Sequence, residues 1–241
     1  MLKKLIKWVK GLFCGKQEMK KRYAVVLPGI IGSDWVICQK GPSPWNSNAG
    51  LNPMFQDDYM RLECIRDGDS FMTSAIKTKE AFGDGKFECE ARFKSGKSTW
   101  PAIWMIHPKG GDNNYATYFE IDLSEYYETR DTTDTGYHCP QSMRGGGKYV
   151  KSVSTPIRKD GWNKFECEWD DKAINVRING NIVLSISNDG DPNHFPVDES
   201  ARTFQIILSM QYTNRWLSEP DLSELPLWMD VRNVKLFKLI K

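Results

Sequence analysis

The chain has 241 residues, 40% of them hydrophobic, and its 33 basic and 31 acidic side chains leave a net charge of +2. This length allows one large domain with a deep core, and the near balance of charge is unlike that of a disordered chain or a basic nucleic-acid-binding protein. No run of 18 apolar residues occurs, so we expect no membrane-spanning helix.

The N-terminal segment differs from the remainder in charge. Residues 1–22 carry eight basic side chains and one acid, a net charge of +7, whereas the rest of the chain carries −5. Apolar residues recur between the lysines at helical spacing, from Leu2 to Phe13. We predict that residues 1–32 form a basic extension, which is a targeting segment, an anchor on a membrane or anionic surface, or a first strand. The main domain then covers residues 33–241.

Cysteine spacing excludes two kinds of site. The six cysteines form no CxxC pair, so neither a zinc ribbon nor a redox motif fits. They are Cys14, Cys38, Cys64, Cys89, Cys139 and Cys167. Free buried thiols and one or two disulfides both remain open.

After residue 33 the sequence predicts short strands. Runs with alternating apolar residues are separated by Gly, Asp, Asn and Pro, and Asn179-Gly180 is a strong signal for a two-residue hairpin turn. The runs are Tyr59–Arg66, Lys86–Phe93, Tyr115–Leu123, Lys164–Trp169, Ala173–Ile178, Asn181–Ile186, Phe204–Met210 and Val231–Leu239. Many short strands without alternating helices predict an all-β sandwich or barrel of antiparallel strands.

One predicted strand is rich in acids. In Glu120-Ile121-Asp122-Leu123-Ser124-Glu125, Glu120 and Asp122 point to one face and the apolar residues between them to the other. One extra residue, a β-bulge, would bring Glu125 to the face of the other two acids. Neighbouring carboxyls shift each other's pKa, and glycoside hydrolysis needs one ionised and one protonated carboxyl. An exposed polar strand face is the alternative explanation.

The surrounding motifs resemble glycoside hydrolase family 16. Thr73-Ser74-Ala75, then Phe82 to Glu88, then Trp100-Pro101-Ala102-Ile103-Trp104-Met105 precede the acid strand in the order that this family shows. Asp160 to Trp169 and Met229 to Val234 are similar to two later strands of the family. The resemblance covers roughly residues 60–240. It implies a β-jelly-roll sandwich of two antiparallel sheets with a concave cleft that binds polysaccharide.

The resemblance also implies roles for individual residues. Glu120 matches the nucleophile, Asp122 the acid between the two and Glu125 the acid/base, and these three are the expected catalytic residues. The expected substrate-binding residues are Trp100, Trp104, His138 and Gln211, with His138 where the family often has a cleft histidine beside the acid/base. The mechanism requires no cofactor and no metal, and Asp230 lies where some members bind a structural calcium ion.

The substrate is less well defined than the chemistry. The motifs look most like those of β-1,3-glucanases (laminarinases), which predicts a retaining endo-glycosidase with carboxylates about 5–5.5 Å apart. The late strand Leu208 to Tyr212, Phe119 before the nucleophile and Thr73-Ser74-Ala75-Ile76 depart from the family pattern. Mixed-linkage glucan, agar- or carrageenan-type galactans and a non-catalytic lectin remain alternatives. We expect a monomer without nucleic acid; a polysaccharide substrate favours an extracellular or periplasmic site, although no clear signal peptide is present.

Overall fold

The computed structural model describes residues 22–28, 34–38, 50–68, 70–109, 117–141, 151–213 and 217–240. These residues form two antiparallel sheets and one short 3-10 helix, Leu222–Glu224. The all-β prediction is therefore confirmed, and the two packed sheets form a jelly-roll sandwich. No helix in these ranges is long and apolar enough to cross a membrane.

Sheet A has nine strands. They are β1 (Arg22–Pro28), β3 (Met54–Phe55), β4 (Met60–Asp67), β5 (Ser70–Thr73), β7 (Gly85–Lys94), β12 (Asn163–Trp169), β13 (Ala173–Ile178), β14 (Asn181–Ser187) and β16 (Leu227–Ile240). Their order is β14-β13-β12-β7-β16-β4-β3, with β1 beside β16 and β5 beside β4. β1 lies inside the predicted basic extension, so residues 22–28 are a strand of the sheet, while residues 1–21 lie outside the described residues.

Sheet B has seven strands and carries the acid strand near its centre. They are β2 (Trp35–Ile37), β6 (Ala75–Thr78), β8 (Thr99–Ile106), β9 (Glu120–Glu125), β10 (Thr132–His138), β11 (Lys151–Pro156) and β15 (Gln205–Tyr212). Their order is β11-β10-β9-β8-β15-β6-β2. The acids of β9 are thus flanked by β10 on one side and β8 on the other.

The core lies between the sheets and follows the alternation of the sequence. Along β12, buried and half-buried residues alternate, and Phe165, Cys167 and Trp169 point into the core. Ile103 and Met105 of β8 belong to the same core. The other face of β8 is therefore the outer face of sheet B.

The structure tests two local predictions, the hairpin turn at Asn179-Gly180 and the state of the cysteines. Asn179 and Gly180 have φ of 52° and 85° between β13 and β14, the two positive values that a type I′ hairpin turn requires. The five described cysteines are buried free thiols, so no disulfide joins any of them. Cys14 lies outside the described residues.

Candidate active site

A β-bulge in β9 brings the three acids to one face of sheet B. Asp122 lies opposite Trp104 of β8, and Glu125 lies opposite Ala102, so three steps along β9 match two steps along β8. The same extra residue appears against β10. The predicted bulge is confirmed, because Glu125 shares the outer face with Glu120 and Asp122 while the apolar residues between them lie in the core.

Each of the three carboxyls has its own polar neighbour. The hydroxyl of Tyr118 donates a hydrogen bond of 2.7 Å to Oε2 of Glu120. The hydroxyl of Tyr127 donates to the carboxylate of Glu125. Asp122 is 4% exposed, and its Oδ2 lies 3.3 Å from Nε2 of His138. The acid strand is therefore enclosed by two tyrosines and one histidine.

Burial raises the pKa of all three carboxyls. The pKa of Glu120 rises to about 8, first because burial penalises its charged form and then because Asp122 is close, while His138 and Tyr118 act in the opposite direction. The pKa values of Asp122 and Glu125 are also raised by burial, and Asp122 raises that of Glu125 further. Glu120, Asp122 and Glu125 form an acid row whose members titrate together. Near neutral pH this acid row therefore holds both protonated and ionised carboxyls. A general acid and a nucleophile can thus coexist on one strand.

The two candidate tryptophans lie on the same face as the acids but differ in exposure. Trp104 is only 6% exposed, packs with Ala102 and Ile207, and donates its indole N–H to Oγ of Ser209 at 3.2 Å. Trp100 is half-buried, and its ring lies 5.6 Å from that of Tyr127. Trp100 therefore has the greater surface for a sugar ring.

Gln211 and His138 lie on strands that flank the site. Gln211 lies opposite Trp100 in the sheet register and is 3% exposed. His138 lies directly opposite Glu120, not Glu125, whose partner on β10 is Asp134. His138 also lowers the pKa of Glu125, so its ring lies near both glutamates, and its expected contact with substrate remains a prediction.

Asp230 lies on the other sheet. It is fully buried on β16, and both its oxygens accept hydrogen bonds, from Arg61 at 2.6 and 3.0 Å and from Arg92 at 3.0 Å. Two guanidinium groups beside the carboxylate disfavour the calcium ion that the resemblance suggested there, since calcium needs six or more oxygen ligands.

Sequence reasoning missed three residues of the site. Tyr118 and Tyr127 flank the acid strand two positions outside its glutamates, but their bonds to those glutamates depend on how the chain turns at each end. Gly136 lies opposite Asp122, and a Cβ there would be 2.7 Å from Oδ2 of that carboxylate. A glycine facing the central acid could have been found from the register, but β10 was not predicted.

Comparison with known proteins supports this architecture. A keratan-sulfate endo-1,4-beta-galactosidase from Sphingobacterium multivorum is 23% identical over 224 residues, which cover 88% of this chain and 52% of that enzyme. The chain thus spans about half the length of this relative. The laminarinase of Rhodothermus marinus superposes with a TM-score of 0.76 at 17% identity, covering 92% of this chain and all of the other.

A further structural relative and a family model bear on the family of this chain. SCLam, a non-specific endo-beta-1,3(4)-glucanase from family GH16, superposes with a TM-score of 0.71 at 18% identity over 90% of this chain and 91% of its own, and confirms the resemblance to that family in fold. A family model described as the 3-keto-alpha-glucoside-1,2-lyase-like domain matches residues 33–217. The chain is therefore a member of the 3-keto-alpha-glucoside-1,2-lyase-like domain family.

Proposed function

We propose that the protein is a retaining endo-glycosidase that hydrolyses a β-linked polysaccharide, with β-1,3-glucan as the preferred substrate. The observation that carries this proposal is the row of three carboxyls, one buried and two half-buried, that the bulge in β9 places on one face. The raised pKa values favour a site in which one carboxyl is protonated while another is ionised. An exposed polar strand would not bury its acids in this way.

In this mechanism the two glutamates have different roles. The carboxylate of Glu120 attacks the anomeric carbon while Glu125 gives its proton to the leaving oxygen, and a covalent glycosyl-enzyme forms. Glu125 then removes a proton from the water molecule that releases the sugar. Asp122 lies between the two glutamates and exchanges a proton with them. The chemistry needs no cofactor. The carboxylate separation of about 5–5.5 Å that a retaining enzyme requires remains a prediction.

The choice of β-1,3-glucan as the preferred substrate is supported by the relatives of this chain. The structural relatives include a laminarinase and an endo-beta-1,3(4)-glucanase, which favours β-1,3-glucan and mixed-linkage glucan. The galactosidase relative keeps galactans as alternatives. Trp100 supplies an aromatic face on which the apolar side of a sugar ring can stack.

The test is oligosaccharide release from laminarin, lichenan, agarose, carrageenan, xyloglucan and keratan sulfate. Wild type is compared with Glu120→Gln and with a matched control, Glu80→Gln, which changes an exposed glutamate. Release by wild type and the control but not by Glu120→Gln would support the proposal. Retained binding without release by any of the three proteins would favour the lectin alternative.

A second candidate function follows from the family description and the contact between His138 and Asp122. A keto group at C3 of a glucoside acidifies the hydrogen on C2. A base can remove that hydrogen while its electron pair forms the C1–C2 double bond and the bond from C1 to the leaving oxygen breaks. The His138–Asp122 pair supplies a base beside Glu120, and Glu125 can protonate the leaving oxygen.

The two candidates give different products. A 3-keto α-glucoside incubated with the protein would yield an unsaturated keto sugar from a lyase, detected by mass as the sugar lacking one water. Hydrolysis of laminarin would yield saturated oligosaccharides. The first product without the second would replace the glycosidase proposal.

We further propose that residues 1–22 bind an anionic surface and that the protein is otherwise a monomer. The net charge of +7 supports the first point, since basic segments are attracted to anionic lipids. Co-sedimentation with anionic vesicles, compared between the full chain and a chain lacking residues 1–22, tests it; equal pelleting would contradict the anchor.

A further inference from the structure

Three metal-ligating groups meet in the acid row. One carboxylate oxygen each from Glu120 and Asp122 and one ring nitrogen of His138 all lie within 4.8 Å of one another. The sheet register explains this arrangement, because His138 lies directly opposite Glu120 and Asp122 is two positions along the same strand. The three side chains therefore come from adjacent strands rather than from mobile loops.

The central member of this triplet has an unsatisfied oxygen. Oδ2 of Asp122 is buried and accepts no hydrogen bond, and Nε2 of His138 lies 3.3 Å away. A buried acceptor that receives no well-aligned hydrogen bond is unfavourable, and a cation bound to that oxygen would satisfy it. This oxygen is a second observation, independent of the clustering of acids, that indicates a ligand.

Local charge also favours a cation. Among the described residues, no lysine or arginine forms an ion pair with Glu120, Asp122 or Glu125, whereas acids on sheet A such as Glu88 and Asp230 are paired with lysines or arginines. Tyr118 occupies only Oε2 of Glu120, so the other oxygen of that carboxylate can bind an ion. His138 has a side chain that is 27% exposed, which gives an ion access from solvent.

We propose that Glu120, Asp122 and His138 bind one divalent transition-metal ion of the zinc class, and that the metal-bound protein is an inactive form of the proposed glycosidase. One imidazole and two carboxylates match the ligands of zinc, with water completing a four-coordinate site. Calcium and magnesium are disfavoured because they need more oxygen ligands. The ion would occupy the carboxylate that attacks the sugar. The inhibitory role of the metal rests on the proposed function, whereas the metal binding itself does not.

Metal binding is tested without turnover. Zn²⁺ is titrated calorimetrically into the full-length protein, and Co²⁺ serves as a spectroscopic probe, because a four- or five-coordinate cobalt site absorbs visible light. We expect one ion per chain with micromolar affinity. His138→Gln and Asp122→Asn should each weaken binding at least tenfold. His138→Gln changes a partly exposed side chain, so it keeps the test valid if Asp122→Asn fails to fold.

A matched control uses the other histidine that lies beside acids. His194 contacts Asp189 and Asp191 at 2.9 and 3.6 Å on the loop after β14. His194→Gln should bind zinc as wild type does. Absence of a bound ion, equal binding by His138→Gln, or a loss caused by His194→Gln would each overturn the proposed site.

Inhibition is tested on the substrate that wild type cleaves. Zn²⁺ should reduce oligosaccharide release in proportion to the occupied fraction measured by calorimetry, and a chelator should restore it. Full activity at saturating zinc would overturn the inhibitory role. If the protein releases no sugar, the calorimetric and cobalt measurements still decide whether the site exists, so failure of the two proposals can be told apart.

Discussion

Tyr118 donates its phenolic hydrogen to Oε2 of Glu120 across 2.7 Å, immediately before the strand that carries the acids. Burial and the nearby Asp122 favour the neutral form of Glu120, whereas a hydrogen bond to its carboxylate favours the charged form. Tyr118 thus partly offsets the cost of keeping a nucleophile ionised in a buried row. Tyr118 is a positioning residue, because it acts on the reaction through Glu120.

Tyr118→Phe should raise the pKa of Glu120, because it removes a donor to the charged form. The kcat/KM of the proposed glycosidase increases as pH rises through the pKa of the nucleophile, so this rise should move to higher pH by about one unit, with kcat/KM near neutral pH about tenfold lower. The pH profile of kcat/KM on the cleaved substrate measures both. Tyr59→Phe, which changes a tyrosine outside the acid row, should keep the wild-type profile; an unshifted rise in Tyr118→Phe would contradict the role.

Gly136→Ala should disturb Asp122 while leaving the fold intact. The added methyl group would lie 2.7 Å from Oδ2 of Asp122, which is closer than nonbonded atoms approach, so the carboxylate must move. Because small displacements of reacting groups are costly, we expect kcat to fall about tenfold or more. Steady-state kinetics and the melting temperature are measured together.

The control for this substitution is another glycine to alanine change. Gly83→Ala would place a methyl group where nothing lies within 4 Å, so activity and stability should stay near wild type. If Gly136→Ala kept full activity, the contact between the β10 backbone and Asp122 would be unimportant for the reaction.

The acid strand and its bulge could be predicted because alternation is a local property. Apolar residues on one face and acids on the other determine which way Glu120 and Asp122 point, and a single extra residue accounts for Glu125. The Asn179-Gly180 turn was equally predictable, since few other residues adopt two successive positive φ values. In both cases the signal lies within a few residues.

Strand β10 could not be predicted because its buried face is polar. Thr133 and Thr135 are fully buried, where Oγ1 of Thr133 lies 2.7 Å from Oγ of Ser124 and the hydroxyl of Thr135 donates to the carbonyl of Leu123. Such a strand shows no apolar alternation. The register that places His138 opposite Glu120 therefore depends on pairing between strands, which a single sequence does not display.

A buried ion pair links the loop before β15 to the turn before β7. Nε of Arg202 donates to Oδ1 of Asp84 at 2.8 Å, both side chains are 4% exposed, and the same guanidinium group donates to the carbonyls of Pro196 and Val197. Arg202→Met should lower the free energy of unfolding by about 3–5 kcal/mol, because it leaves a buried carboxylate without its partner. Urea denaturation measures this change.

The double variant Asp84→Leu with Arg202→Met separates the charge effect from the packing effect. Removing both charges should recover much of the loss, since no unpaired buried charge remains. Lys159→Met breaks the solvent-exposed pair with Asp131 and should barely change the denaturation midpoint. A double variant as unstable as Arg202→Met would show that the carbonyl contacts, not the charge pair, hold this loop.

Glu120→Gln should stabilise the fold increasingly as pH rises from 4 to 8. The pKa of Glu120 is raised to about 8 in the folded protein, whereas an unfolded glutamate has a pKa of about 4.3. Between these values the unfolded chain has released this proton while the folded protein still holds it, so wild type loses stability as pH rises. Glutamine carries no such proton and still accepts the bond from Tyr118.

Thermal unfolding at pH 4, 6 and 8 measures this effect. The melting temperature of Glu120→Gln minus that of wild type should be near zero at pH 4 and should grow by roughly 4–8 °C by pH 8, which corresponds to about 2 kcal/mol for a domain of this size. Coupling with Asp122 and Glu125 spreads the penalty over the row, which keeps the expected gain below that of an isolated site. Glu80→Gln, at an exposed position, should show the same small difference at every pH. A difference for Glu120→Gln that stays constant from pH 4 to 8 would mean that Glu120 is ionised over this whole range in the folded protein, and would contradict the raised pKa of this carboxyl.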